Sequence, residues 1–342
     1  MKEIEKFIPL ICGLKGTNIT KQEEIFLRAY RPWGIILFER NCLSEDQIKN
    51  LTDSIKEIYG TEIPILIDQE GGRVSRLNFK GAFTFPSAKK LFDLRKNFAE
   101  IGDRIFHLNY KLISTYIKRL GINVNSIPVL DIPDESESGI IGDRSFSNDR
   151  YIVAKYGSEV IDILHSNGVA PIIKHMPGHG KADVDSHLGL PYVHSKKSEM
   201  SVSDFYPFKF NSHCALGMTA HIIYSDMDEQ NVCTFSKKII NQVLRNEIGF
   251  KGTLITDDIS MKAINLPLQE ASFKALEAGC DIILHCNGNI NEMNEIANCI
   301  EKKHYPISHQ ENLTSIIFKE NKSDIKLIDE ELTELLIKAQ EY

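Results

Sequence analysis

Several common signatures are missing from this chain, and each absence removes a class of function. The apolar runs are strand-sized, well short of the roughly 20 residues a membrane-crossing helix needs. The opening Met1-Lys2-Glu3-Ile4-Glu5-Lys6 mixes charges and carries no apolar leader, so a cytoplasmic protein without a membrane partner is expected. There is no basic excess: Lys and Arg number 40 against 47 Asp and Glu, a formal charge of -7, which speaks against a nucleic-acid partner. The first apolar run leads into Gly13-Leu14-Lys15-Gly16-Thr17 instead of the G-x-G-x-x-G turn of dinucleotide-binding folds. Repeats, low-complexity tracts and Pro/Ser-rich linkers are missing too, so residues 1–342 read as one domain. The seven cysteines are odd in number and scattered, mostly within apolar runs such as Leu10-Ile11-Cys12. They read as reduced thiols used as small hydrophobic residues.

What is present is an alternation. Short apolar runs at Phe7-Leu14, Trp33-Phe38, Ile63-Ile67, Asn123-Ile127, Ala170-Ile173, Gly217-Ile222, Gly252-Ile255 and Asp281-Leu284 read as strands. Between them, apolar residues three and four apart predict helices at Lys21-Tyr30, Ser44-Tyr59, Ala99-Leu120, Arg150-Ser166, Ser236-Ile248, Leu268-Ala278 and Asn289-Lys302. Ser44 followed by Gln47 has the pattern of a capping box, and Gly60, Gly121, Gly168 and Gly279 stand where helices need a left-handed terminator. Eight strand–helix units predict an α/β fold, a single-domain (β/α)8 TIM-type barrel. The charged, amphipathic tail Ser323-Tyr342 is expected to be a helix packed outside it.

Barrel enzymes carry their chemistry where strands end, and polar residues collect there. The third strand ends in Asp68-Gln69-Glu70-Gly71-Gly72-Arg73-Val74. The fourth is followed by Asp131 and by Ile141-Gly142-Asp143-Arg144-Ser145-Phe146. The fifth leads into Lys174-His175-Met176-Pro177-Gly178-His179-Gly180 and on to Asp185-Ser186-His187, and the seventh into Thr256-Asp257-Asp258. A carboxylate two residues before an imidazole, as in Asp185-Ser186-His187, can accept one ring N–H and leave the other nitrogen free to move a proton. Solvated loop residues would give the same pattern. Of Asp257 and Asp258, one can cap the following helix while the other faces the barrel mouth. We expect Asp257 to face inward, although spacing alone does not decide it. His175 and His179 lie four apart, but Pro177 and Gly178 oppose the helix that would align them, and H-E-x-x-H is absent, so neither metal nor cofactor is expected. Lys174, Arg144 and Asp68 place opposite charges around one mouth, which suits a ligand rich in hydroxyl and amide groups.

Taken together, these motifs resemble glycoside hydrolase family 3, and within it the single-domain β-N-acetylhexosaminidases. The carrying residues are Asp68 to Val74, Ile141 to Phe146, Lys174 to Gly180, Asp185-Ser186-His187 with Leu190-Pro191, Met218-Thr219-Ala220-His221 and Thr256 to Met261. They occur in the family's order from Phe7 to Cys286. Met176 stands where the family usually has Phe, and Thr256 where Ser is common. The resemblance implies release of terminal β-linked N-acetylglucosamine, typically from muropeptides during peptidoglycan recycling or from chitooligosaccharides, by a monomer. It assigns Asp257 as nucleophile, His187 as acid/base assisted by Asp185, and Asp68, Arg144, Lys174, His175 and Asp131 as substrate-binding residues. A glycosyl-enzyme on Asp257, hydrolysed with retention, would follow.

Other readings predict different behaviour. A protonated His187 beside Asp185 carries less negative charge than two carboxylates, so a phosphate acceptor and phosphorolysis fit the same residues. A family 3 β-glucosidase would differ in whether the pocket admits an N-acetyl group. A silent sugar-binding barrel would have no need of Asp257, Asp185 and His187 together.

Overall fold

Strands buried on both faces must be apolar without alternation, and that is how the sequence of this barrel wall reads. The protein was analysed as a computed structural model that describes residues 7–134, 140–184, 189–300 and 310–339, with 310–312 described by backbone alone. The strands are β1 (Ile8–Gly13), β2 (Pro32–Leu37), β3 (Ile65–Ile67), β4 (Val124–Asn125), β5 (Ala170–Met176), β6 (Tyr192–Val193), β7 (Leu216–Thr219), β8 (Ile223–Tyr224), β9 (Thr253–Asp258) and β10 (Ile282–His285). Eight of them pair side by side in parallel and close in the order β1-β2-β3-β4-β5-β7-β9-β10, with β10 returning to β1 through Ile11 opposite Leu284. The fold is a (β/α)8 TIM-type barrel. Its strands are buried throughout except at Asp257 and Asp258, the last two residues of β9.

The two-residue period of the strands divides the apolar residues between two cores. Ile11, Ile36, Leu66, Val124, Ile172, Leu216 and Ile255 fill the barrel interior. Their neighbours Leu10, Ile35, Ile65, Ile173, Leu254 and Ile283 pack outward against the helices. The helices are α1 (Lys21–Tyr30), α2 (Glu45–Tyr59), α3 (Ala88–Asn97), α4 (Ala99–Arg119), α5 (Arg150–Ser166), α6 (Lys197–Val202), α7 (Phe205–Phe210), α8 (Leu268–Ala278), α9 (Ile290–Ile300), α10 (Gln310–Ile317) and α11 (Ile325–Lys338), with a π-helical stretch at Ile239–Glu247. Leu313 and Ile317 of α10 join the interior cluster beside Trp33, Ala170 and Ala215 at the strand starts, so α10 stoppers the N-terminal end. α11 lies outside, with Ile328 and Leu332 buried and Glu331 gripping Arg104 of α4 through two bonds of 2.6 and 2.8 Å.

All eight expected strands are found, and three run further than their apolar residues suggest, β10 by one residue to His285. β5 continues through Lys174 and His175 to Met176, and β9 through Asp257 to Asp258. Polar residues stay in these strands because their backbones still pair and their side chains have partners at the mouth. β4 is short, yet Asn123 and Asn125 extend its reach. The Asn123 amide accepts from Ile65 N and donates to Ile63 O, and the Asn125 amide does the same with Gln69 N and Gln69 O, at 2.8 to 3.0 Å. At α2, Ser44 accepts from Gln47 N as the capping box predicts, but the Gln47 carbonyl takes Leu43 N instead of Ser44 N. The four helix-terminating glycines all have positive φ, from 69° at Gly60 to 117° at Gly279. No described helix is long and apolar enough to cross a membrane.

Candidate active site

A cavity of about 340 Å³ opens where β3, β5, β9 and β10 end. Asp68 and Glu70 follow β3 two residues apart and both reach it, while Gln69 between them turns away. The buried Gln69 amide accepts from Arg76 N and Leu77 N and donates to Ser75 Oγ, fixing the loop on which Arg73 and Arg76 stand. At Gly71, with φ at +96°, an added Cβ would come within 2.3 Å of the Pro86 carbonyl, so the turn admits only glycine.

Glu70 joins two cations from different parts of the chain. Arg144 donates to both its oxygens at 2.9 and 2.8 Å, and Lys174 Nζ lies 2.7 Å from Oε1. Burial alone would raise the Glu70 pKa, but Lys174 and Arg144 outweigh it and bring the carboxyl down to about 2. Asp68 sits between Arg76 Nη2 at 3.1 Å and Lys174 at 3.6 Å. Burial is again overcome, by Lys174 and then Arg76, so Asp68 is ionised far below the usual carboxylate range. Arg73 donates to Asp143 and to the Ile140 carbonyl, bracing the turn Gly142–Arg144.

Asp131, expected among the substrate-binding residues, stands behind the cavity wall instead. It has no exposed surface and receives His175 Nδ1 at 2.7 Å, His179 N at 2.7 Å and His175 N at 3.2 Å. A carboxylate two shells deep is tolerable only with this many donors, and the histidines and the His179 N–H depress its pKa against the effect of burial. His175 itself lines the cavity. His179 is buried with its ring 5.4 Å from that of His175, and burial, then His175, lowers its pKa to about 4.

The two aspartates of β9 divide cleanly. Asp258 accepts from Ser260 N, Ser260 Oγ and Cys286 N, tying the turn after β9 to the end of β10. Asp257 accepts at Oδ1 from Asp258 N at 2.8 Å, and its Oδ2 has no hydrogen bond among the described residues. Burial opposes its ionisation, but His175, His221, the Asp258 N–H and Lys174 together lower its pKa. His221 is fully buried beneath it. Its Nε2 faces the Asp258 carbonyl at 3.1 Å, an atom that can only accept, so Nε2 carries the hydrogen and Nδ1 accepts from Thr234 Oγ1 at 2.7 Å. Burial lowers the His221 pKa and keeps this ring neutral.

The structure therefore brings together Asp68, Arg144, Lys174, His175 and Asp257 around one space and sets Asp131 behind it. Asp185 and His187 lie outside the described residues. The loop leading to them is fixed at its base: Asp183 N donates to Tyr192 O, Asp183 Oδ1 accepts from Tyr192 N, and Tyr224 Oη donates to Gly178 O. β6 and β8 pair at the same place. Among the described residues no group of three or more potential ligands is placed to hold a metal ion. The sequence motifs include Glu70 and His221 without giving either a role, and Arg76 lies outside them. Glu70 could have been found by the strand period, since it stands two residues after Asp68.

The family model for the glycosyl hydrolase family 3 N-terminal domain matches residues 6–316. The chain belongs to glycoside hydrolase family 3. A β-hexosaminidase of Haemophilus influenzae is 36% identical over 284 residues, covering 81% of this chain and 79% of that one. One from Alkalilimnicola ehrlichii is 35% identical, with 82% and 80% covered. The crystal structure of NagZ from Neisseria gonorrhoeae in complex with N-trifluoroacetyl-D-glucosamine superposes with a TM-score of 0.82 at 28% identity, covering 97% of both chains. This family 3 member is thus a glycoside hydrolase of the type its β-hexosaminidase relatives represent. Where the family commonly has Ser, its Thr256 uses the hydroxyl to accept from Leu284 N at 2.9 Å, a bond in the barrel wall that either residue can make.

Proposed function

We propose that the chain is a retaining β-N-acetylglucosaminidase that releases terminal β-linked N-acetylglucosamine, with muropeptides of peptidoglycan recycling as the natural substrate. It works in the cytoplasm as a single-domain monomer. Asp257 attacks the anomeric carbon and forms the glycosyl-enzyme. His187, assisted by Asp185, protonates the departing oxygen and then draws a proton from the incoming water. Asp68, Arg144, Lys174 and His175 hold the sugar hydroxyls.

The observation that carries this reading is the state of Asp257. It is the penultimate residue of β9, one oxygen is pinned by the Asp258 N–H, the other is open to the cavity, and the surrounding His175, His221, Asp258 N–H and Lys174 favour its charged form. A nucleophilic carboxylate needs those conditions. Turnover of para-nitrophenyl β-N-acetylglucosaminide tests it. Asp257→Ala should lose at least a thousandfold in kcat while keeping the wild-type melting curve. Turnover near the wild-type rate overturns the assignment. For His187→Ala, the aryl glycoside should suffer less than a natural disaccharide, whose poorer leaving group needs the proton more.

A further inference from the structure

Asp131 is the most enclosed carboxylate near the cavity, and among the described residues its hydrogen bonds run only to His175 and His179. An ionised carboxylate accepts and never donates, so each partner must supply a hydrogen. The two backbone amides do so in any case. The His175 ring has a choice of nitrogen, and Asp131 Oδ2 at 2.7 Å removes it, because Nδ1 must be the protonated one. The ring's Nε2, on the cavity side, makes no hydrogen bond among the described residues, while His175 lines the same space as Lys174 and Asp257.

The other polar groups there leave a specific need. Lys174 and Arg144 can only donate. Both oxygens of Glu70 are held by those two cations, and Asp68 is shared between Arg76 and Lys174. A sugar hydroxyl both donates and accepts, and with Glu70 and Asp68 partly engaged and Asp257 Oδ2 given to the anomeric carbon in the proposed reaction, free acceptors are scarcer here than donors. A bare imidazole nitrogen adds an uncharged acceptor. His221, fully buried in the barrel wall, has the opposite arrangement, with its Nε2 hydrogen committed to the Asp258 carbonyl.

We infer that Asp131 is a positioning residue that holds His175 as the Nδ1–H tautomer, so that Nε2 meets the substrate as an acceptor for one sugar hydroxyl hydrogen. The identity of that donor rests on the proposed glycosidase reading; the tautomer does not. Replacing Asp131 with Asn reverses the pairing. The amide nitrogen would donate to Nδ1, the ring hydrogen would move to Nε2, and the acceptor facing the cavity would become a donor.

The decisive measurement is nitrogen-15 NMR of the imidazoles in the full-length, unliganded enzyme, with the His175 signals assigned by their loss in His175→Gln. The neutral wild-type ring should be protonated at Nδ1 and bare at Nε2, and Asp131→Asn should exchange the two. A wild-type ring protonated at Nε2 overturns the proposal, as does an unchanged tautomer in a folded Asp131→Asn. If that variant does not fold, the wild-type spectrum still decides. A kinetic arm uses monodeoxyfluoro aryl β-N-acetylglucosaminides, whose fluorine cannot donate. At one ring position the exchange should cost wild type at least tenfold in kcat/KM and cost His175→Ala little. Equal losses in both proteins at every position overturn the acceptor role. Absence of turnover of the parent glycoside would overturn the glycosidase reading and leave the tautomer to be judged by its own spectrum.

Discussion

Glu70 holds two buried cations on one carboxylate, and the consequences of removing it depend on what replaces it. Glu70→Ala leaves Lys174 and Arg144 without their shared partner, and breaking a buried ion pair from one side typically costs about 3–5 kcal/mol. Urea unfolding should register a loss of that size. Glu70→Gln keeps the shape and one acceptor, so it should unfold closer to wild type but raise KM tenfold or more as Lys174 and Arg144 lose their fixed directions. A normal KM in Glu70→Gln would deny the two cations a part in binding. Asp258→Ala should cost about 1–3 kcal/mol, since Ser260 N and Cys286 N lose their acceptor together. Composition and spacing leave Asp257 and Asp258 equivalent. What separates them is their partners, because Asp258 is held by Ser260 and by Cys286 N whereas Asp257 keeps one oxygen open to the cavity. Asp131 is the converse case. Its place after β4 made it a mouth residue by position, and only the third dimension shows His175 standing between it and the cavity.

At the level of elements, legibility followed the strength of the periodic signal. α1, α5 and α8 begin and end where their apolar spacing says. α3 has a weak apolar stripe in AKKLFDLRKN and was not anticipated, although Ser87 caps it by accepting from Lys90 N. α10 was missed because its apolar residues serve the barrel floor and leave no long stripe. The join between α3 and α4 is unusually close: a Cβ on Gly102 would lie 2.4 Å from the Leu94 carbonyl and 2.5 Å from Arg95 Cα. Ala normally stabilises a helix interior over Gly by about 0.5–1 kcal/mol. Here Gly102→Ala should instead lower the melting temperature, because backbone must move to admit one methyl group. A higher melting temperature would show that the two helices separate at little cost.

The whole molecule should lose stability in acid in two stages. His179 has its pKa lowered to about 4 from an ordinary 6.5, so the folded state binds fewer protons than the unfolded one in that interval. Its contribution is complete above pH 6.5 and is lost as the pH falls toward 4, on the order of 3 kcal/mol. Glu70, at about 2 against an ordinary 4.5, is likewise depressed, and its share, also on the order of 3 kcal/mol, is lost between about pH 4.5 and 2. Urea midpoints taken across this range should fall in both windows. Glu70→Gln should make the lower fall shallower, with Asp68, Asp131 and Asp257 still contributing there, and leave the upper one in place.

Closing β10 onto β1 also has a consequence for how the chain is made. Until Ile282–His285 has left the ribosome, Ile8–Gly13 is bonded only to β2, and its other edge is open and apolar. An unpaired edge of this kind is a template for joining another chain, and pairings this distant in sequence form slowly. Nascent chains arrested before β10 should therefore pellet or bind a chaperone, whereas chains arrested after it should not. Translation of the last barrel strand, more than any local propensity, is what ends the chain's exposure to aggregation.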